Sequence, residues 1–203
     1  MASAPVEVTA NRPSAGRRVP NVTEVRRHRT DCPVTSVWFA GETAVFVGSD
    51  SAMMRVPIGG QEQLMAAHDD VILVSAGDGN RVATAGSDGR VLAIDPDGAL
   101  TEVGNVGRKR WVSTIAIGRR GVAYGIGRDL FFCGNDGAQL QRHSEAPLTA
   151  IAFSPNGETL ALASRDGVCL WTPETGQERQ LRAGAGPATS LRFSPDGLFL
   201  VET

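Results

Sequence analysis

The sequence predicts an all-β protein built from repeated units of four short strands, and three observations lead to this prediction. Glycine is frequent, at 24 of 203 residues, so uninterrupted helix has little room. Short apolar runs alternate with Ser-Asp-Gly, Pro-Asp-Gly and Pro-Asn-Gly turns, whose Asx and Gly residues tolerate the positive φ of tight hairpins. The turn aspartates Asp50, Asp88, Asp129 and Asp166 then recur at an almost constant spacing.

This spacing predicts the architecture. The steps between the turn aspartates are 38, 41 and 37 residues, and the segment Phe153-Ser154-Pro155 repeats 40 residues later as Phe193-Ser194-Pro195. A period of about 39 residues that holds four short strands is typical of a β-propeller blade. We therefore predict a β-propeller whose blades each have strands a to d, numbered from the ring centre outward.

The predicted units follow each other along the chain. Residues 1–21 are expected to form a disordered tail, and residues 22–28 a lone outer strand. The blades that follow are predicted at 32–67, 68–106, 107–143 and 144–184, with a partial fifth at 185–203. Because the fifth unit contains only strands a and b, we expect an open or incomplete ring from a longer protein. Unpaired sheet edges in such a ring would favour self-association.

Apolar runs between turn residues define the strands in each unit. The first two units have predicted strands at 34–39, 44–47, 53–56 and 63–67, then at 71–74, 82–85, 91–94 and 100–103. The next two have strands at 112–117, 122–124, 130–133 and 138–141, then at 148–153, 160–163, 168–171 and 179–182. Residues 62–68 contain good helix formers and are the weakest point of the all-β prediction.

At this point the repeated units resemble the WD-repeat family. The fourth unit matches best, with LTAIAFSPNG over 148–157, LALASRDG over 160–167 and then Leu170-Trp171. The second unit matches through AGSDGRV over 85–91 and Ile94-Asp95, where Ile94 replaces the usual Trp. The resemblance covers about residues 22–203 and implies a WD-type β-propeller of about four blades plus a partial fifth. It does not specify a function.

The resemblance also implies a structural hydrogen-bond network of His, Ser or Thr, Asp and Trp, which ties strands b and c to the corner before strand a. In the fourth unit its members would be His143, Ser164, Asp166 and Trp171. Trp171 follows Asp166 by one residue fewer than usual, and His143 precedes its strand by one residue more. Since a buried polar group without a partner costs about 1–3 kcal/mol, we expect these residues to stabilise the fold.

The histidines and cysteines predict neither a metal site nor a cofactor. His28, His68 and His143 are separated by 40 and 75 residues, about one and two repeats, which predicts equivalent corners of different blades. Cys133 and Cys169 are predicted as buried residues of two different strands c. An odd total of three cysteines without a close pair favours a reduced, cytoplasmic protein.

The charge pattern directs attention to one face of the predicted propeller. A formal net charge of −2 excludes a polybasic nucleic-acid protein by bulk charge. Residues 108–111, Arg-Lys-Arg-Trp, precede a strand a, so they open on the same face as the turns between strands b and c. The pair Arg119-Arg120 should open on the opposite face, and this division disfavours a nucleic-acid groove. Because Trp and Arg dominate interface hot spots, the predicted partner-binding residues are Arg110, Trp111, Arg128 and Arg165.

The function that the sequence favours is a non-catalytic scaffold that presents propeller loops to a protein or peptide partner. A membrane partner is not expected, since no stretch reaches the roughly 18 apolar residues that cross a bilayer, and residues 1–21 lack the apolar core of a secretory signal. Two alternatives stay open. One is a small-molecule propeller enzyme of lactonase or oxidoreductase type, and the other is a nucleic-acid or surface adaptor that uses residues 108–111.

Overall fold

The computed structural model describes residues 28–107, 110–181 and 188–203, and all regular secondary structure in them is β. The predicted tail, Arg108 and Lys109, and all but the last residue of the predicted lone outer strand lie outside these ranges. Within the same ranges, the search for a helix long and apolar enough to cross a membrane finds none.

In the described part of the chain, eighteen strands form four four-stranded antiparallel sheets and one two-stranded piece. The first sheet has β1 (Val34–Ala40), β2 (Thr43–Gly48), β3 (Ala52–Pro57) and β4 (Gln63–Ala66), and the second has β5 (Ile72–Gly77), β6 (Val82–Gly86), β7 (Arg90–Ile94) and β8 (Leu100–Asn105). The third has β9 (Thr114–Gly118), β10 (Gly121–Ile126), β11 (Asp129–Gly134) and β12 (Gln139–His143), and the fourth has β13 (Leu148–Phe153), β14 (Leu160–Ser164), β15 (Gly167–Thr172) and β16 (Gln177–Leu181). The two-stranded piece pairs β17 (Leu191–Phe193) with β18 (Leu200–Glu202).

Consecutive sheets pack face to face, and in two of the interfaces alanines of one sheet pack against larger residues of the next. Ala83 and Ala85 of the second sheet share a core with Val122 and Tyr124 of the third. In the same way, alanines of the fourth sheet pack against Leu191 in β17. The alanines let neighbouring sheets approach closely, so the repeat forms a stack of sheets. The predicted β-propeller of four complete units and a partial fifth is thereby confirmed.

The face of the first sheet that points away from the second sheet is only partly covered by described residues, so the ring is open. The strand register places Val37 and Phe39 where Ile151 and Phe153 stand in the fourth sheet. In the fourth sheet these positions pack on the third sheet, and Ile151 is buried. Val37 is 49% exposed and Phe39 57% exposed, because no sheet in the described part of the chain precedes them.

The segment whose composition favours helix is a strand. Gln63–Ala66 is β4 and pairs antiparallel with β3. Its backbone groups complete the edge of the first sheet, and Arg55 Nη1 donates to Gln63 Oε1 at 2.9 Å. Tertiary pairing therefore overrides the local helix propensity in this segment.

The turns between strands b and c have two lengths. The pairs Val47↔Met53 and Ala85↔Val91 each enclose five residues, and the pairs Gly125↔Leu130 and Ala163↔Val168 each enclose four. In the longer turns the central aspartate folds back, as Asp88 Oδ1 accepts a hydrogen bond from the N–H of Arg90 at 3.0 Å. The shorter turns have one residue fewer, and this prevents their aspartates from folding back in the same way.

Candidate functional site

One end of the stacked sheets collects the turns between strands b and c and the connections from each sheet to the next. We call this end the upper face, and its described residues are 49–51, 67–71, 87–89, 106–107, 110–113, 127–128, 144–147, 165–166 and 188–190. Backbone bonds fix each of the first three connections to the turn of the sheet that it leaves: for example, the N–H of Val106 donates to the carbonyl of Gly89 at 2.8 Å, and that of Ser144 to Arg128 at 2.8 Å. The remaining turns form the lower face.

All four predicted partner-binding residues are exposed on the upper face. Arg110 and Trp111 belong to the connection between the second and third sheets, Arg128 to the turn in the third sheet, and Arg165 to the turn in the fourth. They are therefore spread along the arc and do not form a single cluster. Arg165 lies 3.6 Å from the carboxylate of its neighbour Asp166.

Arg110 belongs to a small charged group. Its Nη2 lies 4.0 Å from Asp129 Oδ2, and the other carboxylate oxygen accepts a hydrogen bond from His143 Nδ1 at 2.9 Å. The hydrogen bond from His143, with a smaller effect from Arg110, holds the pKa of Asp129 below its usual value. This group joins the connection at residue 110 to β11 and β12 of the third sheet.

Trp111 stands beside a depression of the upper face. Its side chain is 68% exposed, and it lines a cavity of about 510 Å³ together with Val71 and Leu73. Asp69, Asp70, Ser87 and Asp88 complete the lining. The hydroxyl oxygen of Ser87 is buried, and within the described part of the chain it has no hydrogen-bond partner. We call this cavity the Trp111 depression.

A complete His–Thr–Asp network lies directly beneath this depression, in the second unit. His68 Nδ1 donates to Asp88 Oδ1 at 3.1 Å, and its Nε2 lies 2.9 Å from Thr84 Oγ1. The N–H groups of Asp69 and Arg90 donate to the same carboxylate. Burial acts to raise the pKa of Asp88, but the hydrogen bonds from Arg90, Asp69 and His68 together lower it.

The network implied for the fourth unit is not formed by the residues that we assigned to it. His143 is mostly exposed and bonds to Asp129, and Asp166 is exposed beside Arg165. Among the described residues, Ser164 Oγ accepts only the N–H of Asp166, at 3.2 Å. Trp171 is buried in the core between the third and fourth sheets, where its indole forms no hydrogen bond with any described residue.

The shorter turn explains this correction. Ser164 pairs directly with Gly167, so Asp166 occupies a two-residue turn that projects to solvent. The buried corner position belongs to Ser144, one residue after His143, and Ser144 Oγ accepts a hydrogen bond from Arg142 Nη1 at 2.6 Å. Two features of the sequence indicated this different arrangement: the one extra residue between His143 and the strand that follows it, and the one missing residue between Asp166 and Trp171.

The three histidines do not occupy equivalent corners, so that prediction is wrong. Only His68 does. In the first unit Cys32 occupies this corner. A Cβ atom added at Gly48 would collide with Cys32 Sγ, just as a Cβ atom added at the equivalent Gly86 would collide with His68. His28 instead contacts Glu62 and packs its ring against Phe46, with centroids 5.7 Å apart.

Sequence reasoning missed a polar cleft between the third and fourth sheets. Arg142 donates from Nε and Nη2 to the two carboxylate oxygens of Glu178, at 2.6 and 2.9 Å. Cys169 lies beside this pair in a cavity of about 280 Å³, and burial raises the pKa of its thiol. A protonated thiol is a poor nucleophile, so this burial disfavours Cys169 as a reactive cysteine. Across the described ranges, no three His, Cys, Asp or Glu residues could hold a metal ion.

Comparison with known proteins identifies one repeat directly. Residues 129–171 match the family model described as WD domain, G-beta repeat. The matched segment begins at β11 of the third sheet and ends in β15 of the fourth, so the sequence repeat bridges two sheets. No curated protein matches the chain. Residues 129–171 are therefore similar to a WD repeat, and this segment lies within an open β-propeller.

Proposed function

We propose that the protein is a non-catalytic scaffold that binds a protein or peptide partner on its upper face. WD repeats generally mediate protein–protein interaction, which supports the general role. The observation that favours the upper face is Trp111, a large indole that is 68% exposed beside the Trp111 depression. An exposed tryptophan next to an arginine is the composition that dominates binding energy at interfaces.

The stacked sheets give this surface a fixed shape. The connection that bears Arg110 and Trp111 is anchored at both ends, by the bond from Val106 to Gly89 and by that from Ser113 N–H to the carbonyl of Gly125 at 2.9 Å. A partner would therefore meet a preorganised surface, which lowers the entropy cost of binding. Arg128 and Arg165 extend the proposed contact along the arc.

The proposed location is the cytoplasm. All three cysteines are free, and Cys133 and Cys169 lie in different sheets. Burial raises the pKa of the Cys133 thiol as it does that of Cys169, so both are expected to stay reduced and unreactive in a reducing compartment.

Site-specific cross-linking tests the proposal. A photoreactive phenylalanine analogue is placed at Trp111 on the upper face or at Ile58, which is 73% exposed on the lower face. Cells that make each full-length variant are irradiated, and the cross-linked proteins are identified by mass spectrometry. We expect one partner to be captured from position 111 and not from position 58. Equal capture from both positions, or from position 58 alone, would contradict the proposal.

A further inference from the structure

The Trp111 depression has the chemistry of a site for one positively charged side chain. We propose that it binds an arginine or lysine side chain of a partner peptide. This inference rests on the proposed function and specifies what the upper face recognises. The supporting observations are an exposed indole, a surplus of carboxylates and a buried hydroxyl that lacks a partner.

The walls of the depression suit the aliphatic part of such a side chain. Val71 and Leu73 are both partly exposed here, and Trp111 presents its ring beside them. Arginine and lysine bury their methylene groups along apolar surfaces and keep the charged end near polar groups. The face of an indole attracts a cation more strongly than that of any other aromatic side chain.

The charges around the depression favour a cation. Asp69 and Asp70 are exposed at its rim, and Asp88 beneath them is buried and held ionised by its hydrogen bonds. Two described cations near the depression have carboxylate partners: Arg90 Nε donates to Glu102 at 2.7 Å and is attracted by Asp69, and the half-exposed Arg110 lies 4.0 Å from Asp129. His68 is bonded to Asp88. The carboxylates of Asp69 and Asp70 therefore have negative charge available for a ligand.

The hydroxyl of Ser87 provides an observation that is independent of these charges. Ser87 lines the depression, and its buried hydroxyl oxygen has no hydrogen-bond partner among the residues of the described ranges. Buried polar atoms in proteins almost always have a partner. Rotation of this side chain toward the depression would let its oxygen accept a hydrogen bond from an entering guanidinium or ammonium group.

The same site does not suit a metal ion. Among the described residues, Asp69, Asp70 and Asp88 do not form a group that could coordinate a metal. Asp70 already accepts the N–H of Val71 at 2.8 Å, and Asp88 accepts three donors. An organic cation requires no set of coordinating atoms. The indole ring and the two rim carboxylates would both attract its positive charge.

Nuclear magnetic resonance on the full chain tests this inference with defined probes. The indole N–H signal of Trp111 is assigned by its loss in Trp111→Phe, and four capped tripeptides Gly-X-Gly are titrated, where X is Arg, Lys, Gln or Glu. We expect the Arg and Lys peptides alone to shift this signal, and added salt to weaken their binding. The signals of Trp38 and Trp171 report whether the fold is kept.

The carboxylates are tested by the double variant Asp69→Asn with Asp70→Asn. We expect it to weaken binding of the Arg peptide by about threefold or more, since each rim carboxylate is solvent-exposed. Asp97→Asn is the matched control, because Asp97 is an exposed aspartate of a lower-face turn that accepts one backbone N–H, as Asp70 does. The control should bind as the unaltered chain does.

Two results would overturn the inference: equal shifts with the Gln peptide, or unchanged affinity in the double variant. Either result can be separated from failure of the scaffold proposal. If cross-linking from position 111 captures a partner and the Arg and Lys peptides do not bind, the cation site is wrong and the scaffold role stands. If those peptides bind and no partner is captured, the cation site stands and the scaffold role is wrong.

Discussion

The imidazole Nδ1 of His68 lies 3.1 Å from Asp88 Oδ1, and both side chains are almost wholly buried. Together with Thr84 they connect the corner before β5 to strand β6 and to the turn that follows it. Removal of one partner leaves the other buried without its hydrogen bond. The pair therefore stabilises the second unit beneath the Trp111 depression.

His68→Ala should lower the free energy of unfolding by about 2–4 kcal/mol, because it leaves the Asp88 carboxylate partly unsatisfied in the interior. Urea denaturation measures the change. His143→Ala is the matched control, and its cost should be below about 1 kcal/mol, since His143 pairs with Asp129 at the surface. A larger loss in His143→Ala than in His68→Ala would contradict the assignment of the network to the second unit.

Stability should fall in acid, and Asp88 should account for part of the loss. The hydrogen bonds to Asp88 lower its pKa in the folded state below the usual 3.8. A depressed folded-state pKa stabilises the protein above the unfolded value, and this stabilisation disappears as the pH falls through the folded-state pKa. Unfolding curves between pH 7 and pH 2 measure the effect. Asp88→Asn should reduce the loss of unfolding free energy at acid pH. An unchanged loss in this variant would show that Asp88 contributes nothing to it.

Arg142→Ala should cost about 1–2 kcal/mol, because it removes a two-point ion pair with Glu178 and the bond to Ser144. This cost is modest because Glu178 is partly exposed to solvent, which weakens the ion pair. Arg165→Ala removes the same charge from an exposed turn and should change stability by less than about 0.5 kcal/mol. Equal effects of the two substitutions in thermal unfolding would rule out a stabilising role for the cleft.

The exposed part of the outer face of the first sheet, along β1, should cause self-association. Phe39→Glu is expected to shift the chain toward monomer at a given concentration, because it places a charge on the exposed apolar face that includes Val37. Analytical ultracentrifugation measures the distribution. Ile58→Glu introduces the same charge on the lower face and should leave the distribution unchanged. Association that is insensitive to Phe39→Glu would place the contact elsewhere.

The sequence predicted the sheets well because their signals are local. Turn residues such as Asp50 and Asp88 fix hairpin positions, and the alternating apolar residues between them define the buried faces. The assignment of the fourth-unit network failed because one missing turn residue redirects Asp166 to solvent. The family resemblance predicted which residue types the network contains, but the length of the turn decides which hydrogen bonds they form.

Contacts between sheets were beyond sequence reasoning. The Trp111 depression combines Trp111 with Asp69 and Asp70, which lie about forty residues earlier, and the cleft at Arg142 depends on Glu178 in the next sheet. No local sequence pattern relates Trp111 to Asp69 and Asp70, or Arg142 to Glu178. The exposed position of Arg110 and Trp111 was predictable, since it follows from the order of strands within each unit.

The central claim, that Trp111 anchors a partner on the upper face, is tested most directly by one affinity comparison. The dissociation constant of the cross-linked partner, once purified, is measured for Trp111→Ala and for Ile58→Ala by isothermal titration calorimetry. We predict a loss of about tenfold or more for Trp111→Ala, as expected for a central aromatic anchor, and no loss for Ile58→Ala. Equal affinities of the two variants would contradict the account.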